Sequence, residues 1–522
     1  MPPEPRYPGV YIEEIRAAHT IDGVPTSVTA FVGRAWRGPL DTALEVRSFT
    51  EYERIFGGLW LSSTMGYAVQ QFFANGGERA VIVRVATRSG SGRATPATID
   101  VGGSLTLEAA SPGTWGRNLQ VGIGTSPGRE DSGLFEWTIV DDPATAADSM
   151  QRGGSGAREV FANLSLDARS PDFVKSVMAE RSALVRVSGA ITSAPAAGTY
   201  QADAASGADG ISTLTAADAA AEVDGDETAR TGLYALLETD IFNLLCIPPL
   251  TLAETANELS QRIADVPTAT LIAAAALCRR RRAVLLIDAP GSWTDDPPGA
   301  TDQFQVVERS NAALYVPWLR AADPLRGGAV RDIAPCGAVA GVISRTDAER
   351  GVWSAPAGAD AVLRGVLGLS SHPRDDQRLA ALGINTIRKL PHVGHVVWGA
   401  RTLDTSGEWK YVSVRRVALY LEESLYRGTQ WVVFEPNDEP LWARIRQSVG
   451  AFLHGLFRRG AFQGGTPREA FFVKCDRETM TQSDIDRGIV NIVVGFAPTR
   501  PAEFVIISIQ QISDASRRCR AE

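Results

Sequence analysis

No apolar run in this chain comes near the roughly 18 residues that a membrane-spanning helix requires; the longest uninterrupted one is Leu271 to Cys278. The five cysteines (Cys246, Cys278, Cys336, Cys475, Cys519) stand far apart, odd in number and without a CxxC pair. Neither a disulfide framework nor a zinc site is indicated, and buried free thiols in a reducing compartment are expected. Positive charge is not in excess: 52 Lys+Arg against 60 Asp+Glu give a net charge of -8 and a pI near 5.4. Attraction for phosphate backbones or anionic lipid is absent overall, so neither nucleic acid nor direct membrane insertion is expected. GxGxxG, the Walker-type GxxxxGK with Ser or Thr, HExxH and GxSxG are all missing, which removes the defining residues of dinucleotide, phosphate-loop, zinc-peptidase and hydrolase-elbow sites. No cofactor, metal or catalytic residue is expected. The first residues, MPPEPRYPGVYIEE, offer prolines and acids where a secretory signal needs a basic and then an apolar stretch, and assembly in the cytoplasm is the expectation.

What is present is a folded chain of 522 residues, 44% hydrophobic and 21% charged, long enough for three to four domains at about 150 residues each. The first 25 residues hold five prolines and one β-prone segment, PGVYIEEI, whose Val10, Ile12 and Glu14 alternate with Tyr11, Glu13 and Ile15. A strand with no partner nearby in sequence needs one from elsewhere. From Ser27 the order is strand, helix near Met65 to Ala74, strand from Ala80. FNLLCIPP, AVLLIDAP and AALYVPWL repeat the rhythm after Thr231, with helices expected from about Leu252 and Thr268. Near-continuous apolar strands joined through helices predict a parallel sheet covered on both faces.

Ser89 to Arg230, rich in Gly, Ser, Ala and Thr, reads as a mostly β insertion, with Ala194 to Asp226 its least ordered part. The last third reads as a separate α+β unit made of INTIRKL, HVVWGARTL, the Lys410 to Tyr426 stretch, WVVFEP, a long helix and then two β-rich runs, IVNIVVGFAP and AEFVIISIQQI. Its long helix is expected to start after Asn437, capped by that side chain, with Asp438 and Glu439 at the positive end of the dipole. The apolar stripe is Leu441, Ile445, Val449, Phe452, Leu453 and Leu456.

Candidate chemistry is thin. His392 and His395 form the only close histidine pair; on a strand they point to opposite faces and lack further ligands. Glu435, Asp438 and Glu439 could be drawn as acid and base, but the helix N-terminus accounts for the last two. Arg279 to Arg282 close a helix favourably and could serve an acidic partner. Asp288 ends a parallel strand, where α/β enzymes place functional groups, with no histidine nearby in sequence. His19, His372, His392, His395 and His454 are dispersed, so a subtilisin-like hydrolase is disfavoured.

Several blocks together resemble one family, the contractile tail sheath proteins of bacteriophages and phage-tail-like injection systems. They are PGVYIEEI, FVGRAWRGP, ISRTDAERGVWSAPAG, INTIR, VWGARTL, WKYVSVRR, YLEESLYRGTQWVVFEPNDEPLW, FFVKCD and GIVNIVVGFAPTRPAEFVIISIQQ. The resemblance covers residues 1 to about 90 and about 340 to 512 specifically, 231 to 340 loosely and the insertion hardly at all. It implies an α/β plus α+β fold: an arm at 1–25, a subtilisin-like α/β domain without a catalytic triad at 26–90 and 231–370, an outer insertion at 91–230, a sheath core domain facing the inner tube at 371–500, and a C-terminal strand at 501–522. It implies a structural, non-enzymatic subunit that assembles in the bacterial cytoplasm as stacked hexameric rings and contracts. The expected partners are copies of itself, an inner tube protein, and baseplate and terminal cap proteins. Linking strands are expected at Val10, Tyr11 and Ile12 and at Phe504, Val505, Ile506, Ile507 and Ile509. Arg444, Arg446, Arg458 and Arg459, off the apolar stripe of the long helix, are the candidate tube contacts. The last blocks look most like those of injection systems, with the tail of a virion as the alternative.

Overall fold

The computed structural model describes residues 19–87, 93–125, 133–141, 156–191, 193–210, 215–251, 263–291, 293, 308–372 and 376–503. Its centre is an eight-stranded sheet: β1 (Thr29–Gly33), β2 (Leu44–Val46), β3 (Ala80–Arg84), β4 (Leu244–Cys246), β5 (Val284–Asp288), β6 (Ala312–Val316), β7 (Ile384–Leu390) and β8 (Gly394–Val397). The spatial order is β2-β3-β1-β4-β5-β6-β7-β8. Pairings from β3 to β7 are parallel, and β2 and β8 close the two edges antiparallel.

Side chains alternate between the two faces, and both faces are covered, which is why these strands read as unbroken apolar runs. Ala30, Val32, Leu245, Leu285, Ile287 and Leu314 face one core, with the helix Thr268–Arg280 over them. Phe31, Ile82, Leu244, Leu286 and Tyr315 face the other, under α-helices Met65–Ala74 and Cys336–Arg350. Call these three helices α1 (Met65–Ala74), α2 (Thr268–Arg280) and α3 (Cys336–Arg350). The helix expected from Leu252, the segment PGVYIEEI and the run FVIISIQQI fall outside the described residues.

The insertion builds a four-stranded sheet (Gly198–Gln201, Leu119–Thr125, Phe135–Asp141, Arg158–Leu164) and a three-stranded one (Thr98–Val101, Leu105–Ala109, Val185–Ser188) around one core. Trp36 and Trp60 of the body enter that core beside Trp115 and Trp137. Buried arginines complete the join. Arg37 pairs with Asp141 at 2.8 Å and Arg34 with Glu222 at 2.5 Å. Arg84 donates to the carbonyls of Ala35, Gly38 and Pro112, and burial pulls its pKa down to about 10. The expectation of disorder over Ala194 to Asp226 is corrected: the stretch holds the strand Gly198–Gln201 and a helix, Ala216–Asp224, started by a capping box at Thr215. Glu222, reaching back to Arg34, is the long-range anchor that composition could not reveal.

The C-terminal unit packs α4 (Val412–Gly428) and α5 (Glu439–Arg458) against a hairpin, Phe471–Lys474 with Val493–Phe496. Its core holds Leu441, Ile445, Val449, Leu453 and Leu456, and takes in Ile21 and Val352 from far away in sequence. The large sheet draws its last two strands, β7 and β8, from the stretch after residue 371.

Candidate functional site

Two chain ends root in this C-terminal unit. Entering from the N-terminal side, the His19 ring stacks on Trp431 with centroids 4.2 Å apart. Ile21 is buried against Gly428, where an added Cβ would stand 2.5 Å from the isoleucine Cγ2, so only glycine admits it. Val24 N–H donates to Ser424 Oγ at 3.2 Å. Thr26 Oγ1 donates to Asp347 Oδ2 at 2.6 Å. Arg416 on α4 then grips Asp347 on α3 with both terminal nitrogens, at 2.8 and 2.5 Å, and donates to the Thr26 carbonyl at 2.8 Å. With side chains only 3% and 4% exposed, this pair is desolvated, and its bidentate geometry is what makes burial of two charges tolerable.

At the other end, Glu503 accepts from Arg401 Nε and Nη2 at 2.6 Å each and from the Tyr411 hydroxyl at 3.0 Å, with Lys410 at 3.7 Å. Burial raises the Glu503 carboxyl, but the hydrogen bonds from Arg401 and Tyr411 outweigh it and leave its pKa below the usual value. Both anchors therefore fix the chain immediately before the terminal segments begin.

The hairpin between these roots pairs Phe471 with Phe496 and Lys474 with Val493. Among the described residues no third strand joins it, although Phe462 and Gln463 bridge Ala497 and Pro498 just beyond Phe496, and Phe472 and Val493 are exposed on it. A two-stranded sheet is marginal alone, and its free N–H and C=O groups are a template for further strands.

The residues singled out in the sequence are placed as follows. Val10, Tyr11, Ile12, Phe504, Val505, Ile506, Ile507 and Ile509 lie outside the described residues. Arg444 pairs with Glu435 at 2.7 Å and lies over the Trp431 ring. Arg446 pairs with Glu439 at 2.7 Å and donates to the Cys475 carbonyl. Arg459 lies over Trp353, 5.1 Å from its centroid, and Arg458 is exposed. Glu435 and Glu439 thus serve ion pairs, and Asp438 is the true cap of α5, its Oδ1 accepting from Leu441 N–H. Asn437 instead accepts from Trp442 Nε1 and donates to the Ile489 carbonyl, which corrects the expected cap by one residue.

Gln430–Val432 form a 3-10 turn and Phe434 stands fully exposed at φ 70.

The four arginines Arg279 to Arg282 each find a partner within the chain, with the Arg279 and Arg280 side chains still largely exposed. Arg279 meets Glu308, Arg280 Glu227 and Arg282 Glu423, while Arg281 donates to the carbonyls of Leu237, Thr239 and Asp240. His392 sits in the β7–β8 turn at φ 64 and His395 on β8, and among the described residues no group of metal-ligating side chains forms.

Asp288 ends β5, its Oδ1 accepting from the Cys336 N–H at the start of α3 at 2.7 Å. Burial pushes its pKa up to about 7, and Oδ2 is inaccessible without a partner among the described residues. The neighbouring Cys246 and Cys336 thiols are also pushed up by burial, which disfavours the reactive thiolate.

Sequence reasoning missed Arg416, Asp347, Arg401, Glu503 and Trp431, because each finds its partner across a long chain separation and none leaves a local period.

Residues 404–512 match the family described as "Phage tail sheath C-terminal domain". A putative prophage major tail sheath protein of Pseudomonas aeruginosa (strain UCBPP-PA14) is 26% identical over 303 residues, 55% of this chain and 71% of the relative. The sheath of an extracellular contractile injection system, the PVC sheath complex in the contracted state, superposes with a TM-score of 0.57 at 21% identity, covering 98% of both chains. The anti-feeding prophage helical sheath in the contracted state gives 0.56 at 24% identity, over 97% of this chain and 99% of that one. The sheath tail protein Lin1278 of Listeria innocua gives 0.56 at 12% identity, over 92% and 96%. The chain thus shares the fold of solved contractile sheath proteins along nearly its whole length, and its residues 404–512 are similar to the phage tail sheath C-terminal domain.

Proposed function

We propose that this protein is the structural subunit of a contractile sheath, stacking as hexameric rings around an inner tube and shortening to drive the tube through a target envelope. The observation that carries the reading is the pairing of two anchored chain segments with a hairpin that no third strand joins among the described residues, all within or beside the stretch similar to the sheath C-terminal domain. Terminal strands at Val10 to Ile12 and Phe504 to Ile509 of neighbouring copies add to that hairpin, where main-chain hydrogen bonds give strength without demanding a fixed orientation of the bodies.

The α/β unit is subtilisin-like in layout and carries no triad, in keeping with Asp288 engaging a backbone amide rather than a histidine. Partners are further copies, the tube, a baseplate and a terminal cap, with assembly in the cytoplasm and a place in either a phage tail or an injection particle. Of the four helix arginines, Arg458 is the strongest tube contact: it is exposed and no carboxylate among the described residues pairs with it. Arg444 and Arg446 spend much of their charge on Glu435 and Glu439.

Electron microscopy tests this directly. Full-length protein is expected to form long hollow helical tubes, and removal of either 1–18 or 504–522 to abolish them. Discrete particles that are the same with and without the terminal segments, even with a tube protein present, would overturn the reading.

A further inference from the structure

Phe434 is the one large apolar side chain among the described residues that stands wholly in water, and it does so at φ 70. Two costs therefore fall on one residue. A ring left in water forgoes the gain of burial, and a left-handed backbone is a genuine outlier for a bulky side chain. Strain of this kind persists where the surroundings hold it in place, and it gathers at sites of binding.

The surroundings of Phe434 hold it from both sides. Before it, Trp431 carries the His19 ring at 4.2 Å and the Arg444 guanidinium at 5.4 Å. The Glu435 N–H donates to the Val432 carbonyl at 3.1 Å, and the Glu435 carboxylate takes Arg444 at 2.7 Å. After it, Asn437 accepts from Trp442 Nε1 at 2.8 Å and donates to the Ile489 carbonyl at 3.1 Å. The ring is thus presented on a fixed turn, and little freedom remains to be lost when a partner buries it.

Its setting has the anatomy of a protein–protein contact. Val433 beside it is 61% exposed, and Tyr426, whose carbonyl accepts from Gln430 at the start of the turn, is 56% exposed. The charges nearby are matched inside the subunit. Arg427 meets Asp240 at 3.1 Å and Glu423 at 2.7 Å, while Arg282 meets Glu423 at 2.6 Å and lies over the Tyr426 ring. An apolar centre within a balanced polar rim fits another protein surface, and it offers no surplus of positive charge to a phosphate backbone or an anionic lipid. The turn also spans the two places where neighbouring copies are proposed to join: Trp431 holds the N-terminal root, and Asn437 holds Ile489 just ahead of the strand Val493–Phe496.

We infer that Phe434 is an anchor of the contact between copies, its ring buried against the apolar surface of a second copy of this chain, with Val433 and Tyr426 completing the patch. The inference deepens the sheath reading and rests on it for the form of the assembly, a helical tube.

Tube counts in negative stain over a dilution series of the full-length protein test it. Phe434→Asn, which suits the left-handed backbone, should leave hydrogen-exchange protection of residues 430–441 intact and raise the lowest concentration that gives tubes at least about tenfold. Phe434→p-benzoylphenylalanine supplies a second readout: irradiated tubes should yield a covalent species of twice the chain mass, and irradiated dilute subunits should not. Tubes from Phe434→Asn at the wild-type concentration would overturn the inference. So would cross-links that reach only the tube protein when it is present, or that form only within one chain. Copy-to-copy cross-links at 434 without tubes would leave this inference standing and sink the sheath reading, and tubes without such cross-links would do the reverse.

Discussion

Removing the carboxylate of Asp347 tests whether the N-terminal root is clamped by a desolvated ion pair. In Asp347→Ala the Arg416 guanidinium, 3% exposed, keeps only the Thr26 carbonyl, and Thr26 Oγ1 loses its acceptor. Leaving one member of a buried pair uncompensated costs about 3–5 kcal/mol, well above the ~1 kcal/mol ceiling of a surface pair. Because the chain has several cores, a single unfolding midpoint is the wrong observable. Hydrogen exchange resolved by fragment is the right one, since local opening is read separately for each element.

Amides of residues 21–26, among them the Val24 N–H held by Ser424, are expected to lose about two to three decades of protection, at 1.4 kcal/mol per decade, or to fall to the unprotected limit. β5, buried in the distant sheet, should keep its protection. Arg416→Met with Asp347→Leu removes both charges and should recover most of the loss, because apolar replacements of a buried pair are close to neutral. Loss below about threefold in the single variant, or equal loss in every fragment, would refute the clamp.

Two further outcomes follow from single side chains. Asp288, with a pKa of about 7 in the fold against 3.8 when free, binds a proton natively over a range where the unfolded chain has lost it. Stability should therefore fall as pH rises from about 4 to 7, by an amount of order 4 kcal/mol at 1.36 kcal/mol per unit, and Asp288→Asn should flatten that difference. Identical pH dependence of β5 hydrogen-exchange protection in the two proteins would contradict the assignment. Phe434 is fully exposed at φ 70, so Phe434→Asn, which suits that backbone better, should leave hydrogen-exchange protection of the fragment spanning residues 430–441 unchanged or slightly higher; a loss of the size seen on removing a core aromatic would show that the ring is packed.

The large sheet was legible because its strands are covered on both faces: Val81 to Val83 and Leu285 to Ile287 read as unbroken apolar runs for that reason. The long helix was legible from Leu441, Ile445 and Val449, which repeat at helical spacing. The turn in WVVFEP was not legible, because Val432, Val433 and Phe434 carry strand preference while the backbone turns through a left-handed Phe434 that no local pattern announces. The arm roots were invisible. Arg416 meets Thr26 across 390 residues and Arg401 meets Glu503 across 102, and side chains brought together only by the completed fold share no period. The open hairpin was half legible, since Val493 to Phe496 reads as a strand but the lack of a third strand is a property of the assembled unit.

Where the molecule is stiff and where it is tied decides how it can transmit force. The insertion shares a core with Trp36 and Trp60 and is held by the buried pairs Arg37–Asp141 and Arg34–Glu222, so it cannot swing without exposing both. The C-terminal unit is joined to the α/β body by the Arg416–Asp347 pair and by Glu423, which takes Arg282 at 2.6 Å and Arg427 at 2.7 Å. These ties join the insertion, the α/β body and the C-terminal unit between His19 and Glu503. Placing the clamps at those points means that a pull on either terminal segment is delivered to a buried, bidentate ion pair on one side and to a guanidinium–carboxylate fork on the other, rather than peeling the root from its core residue by residue.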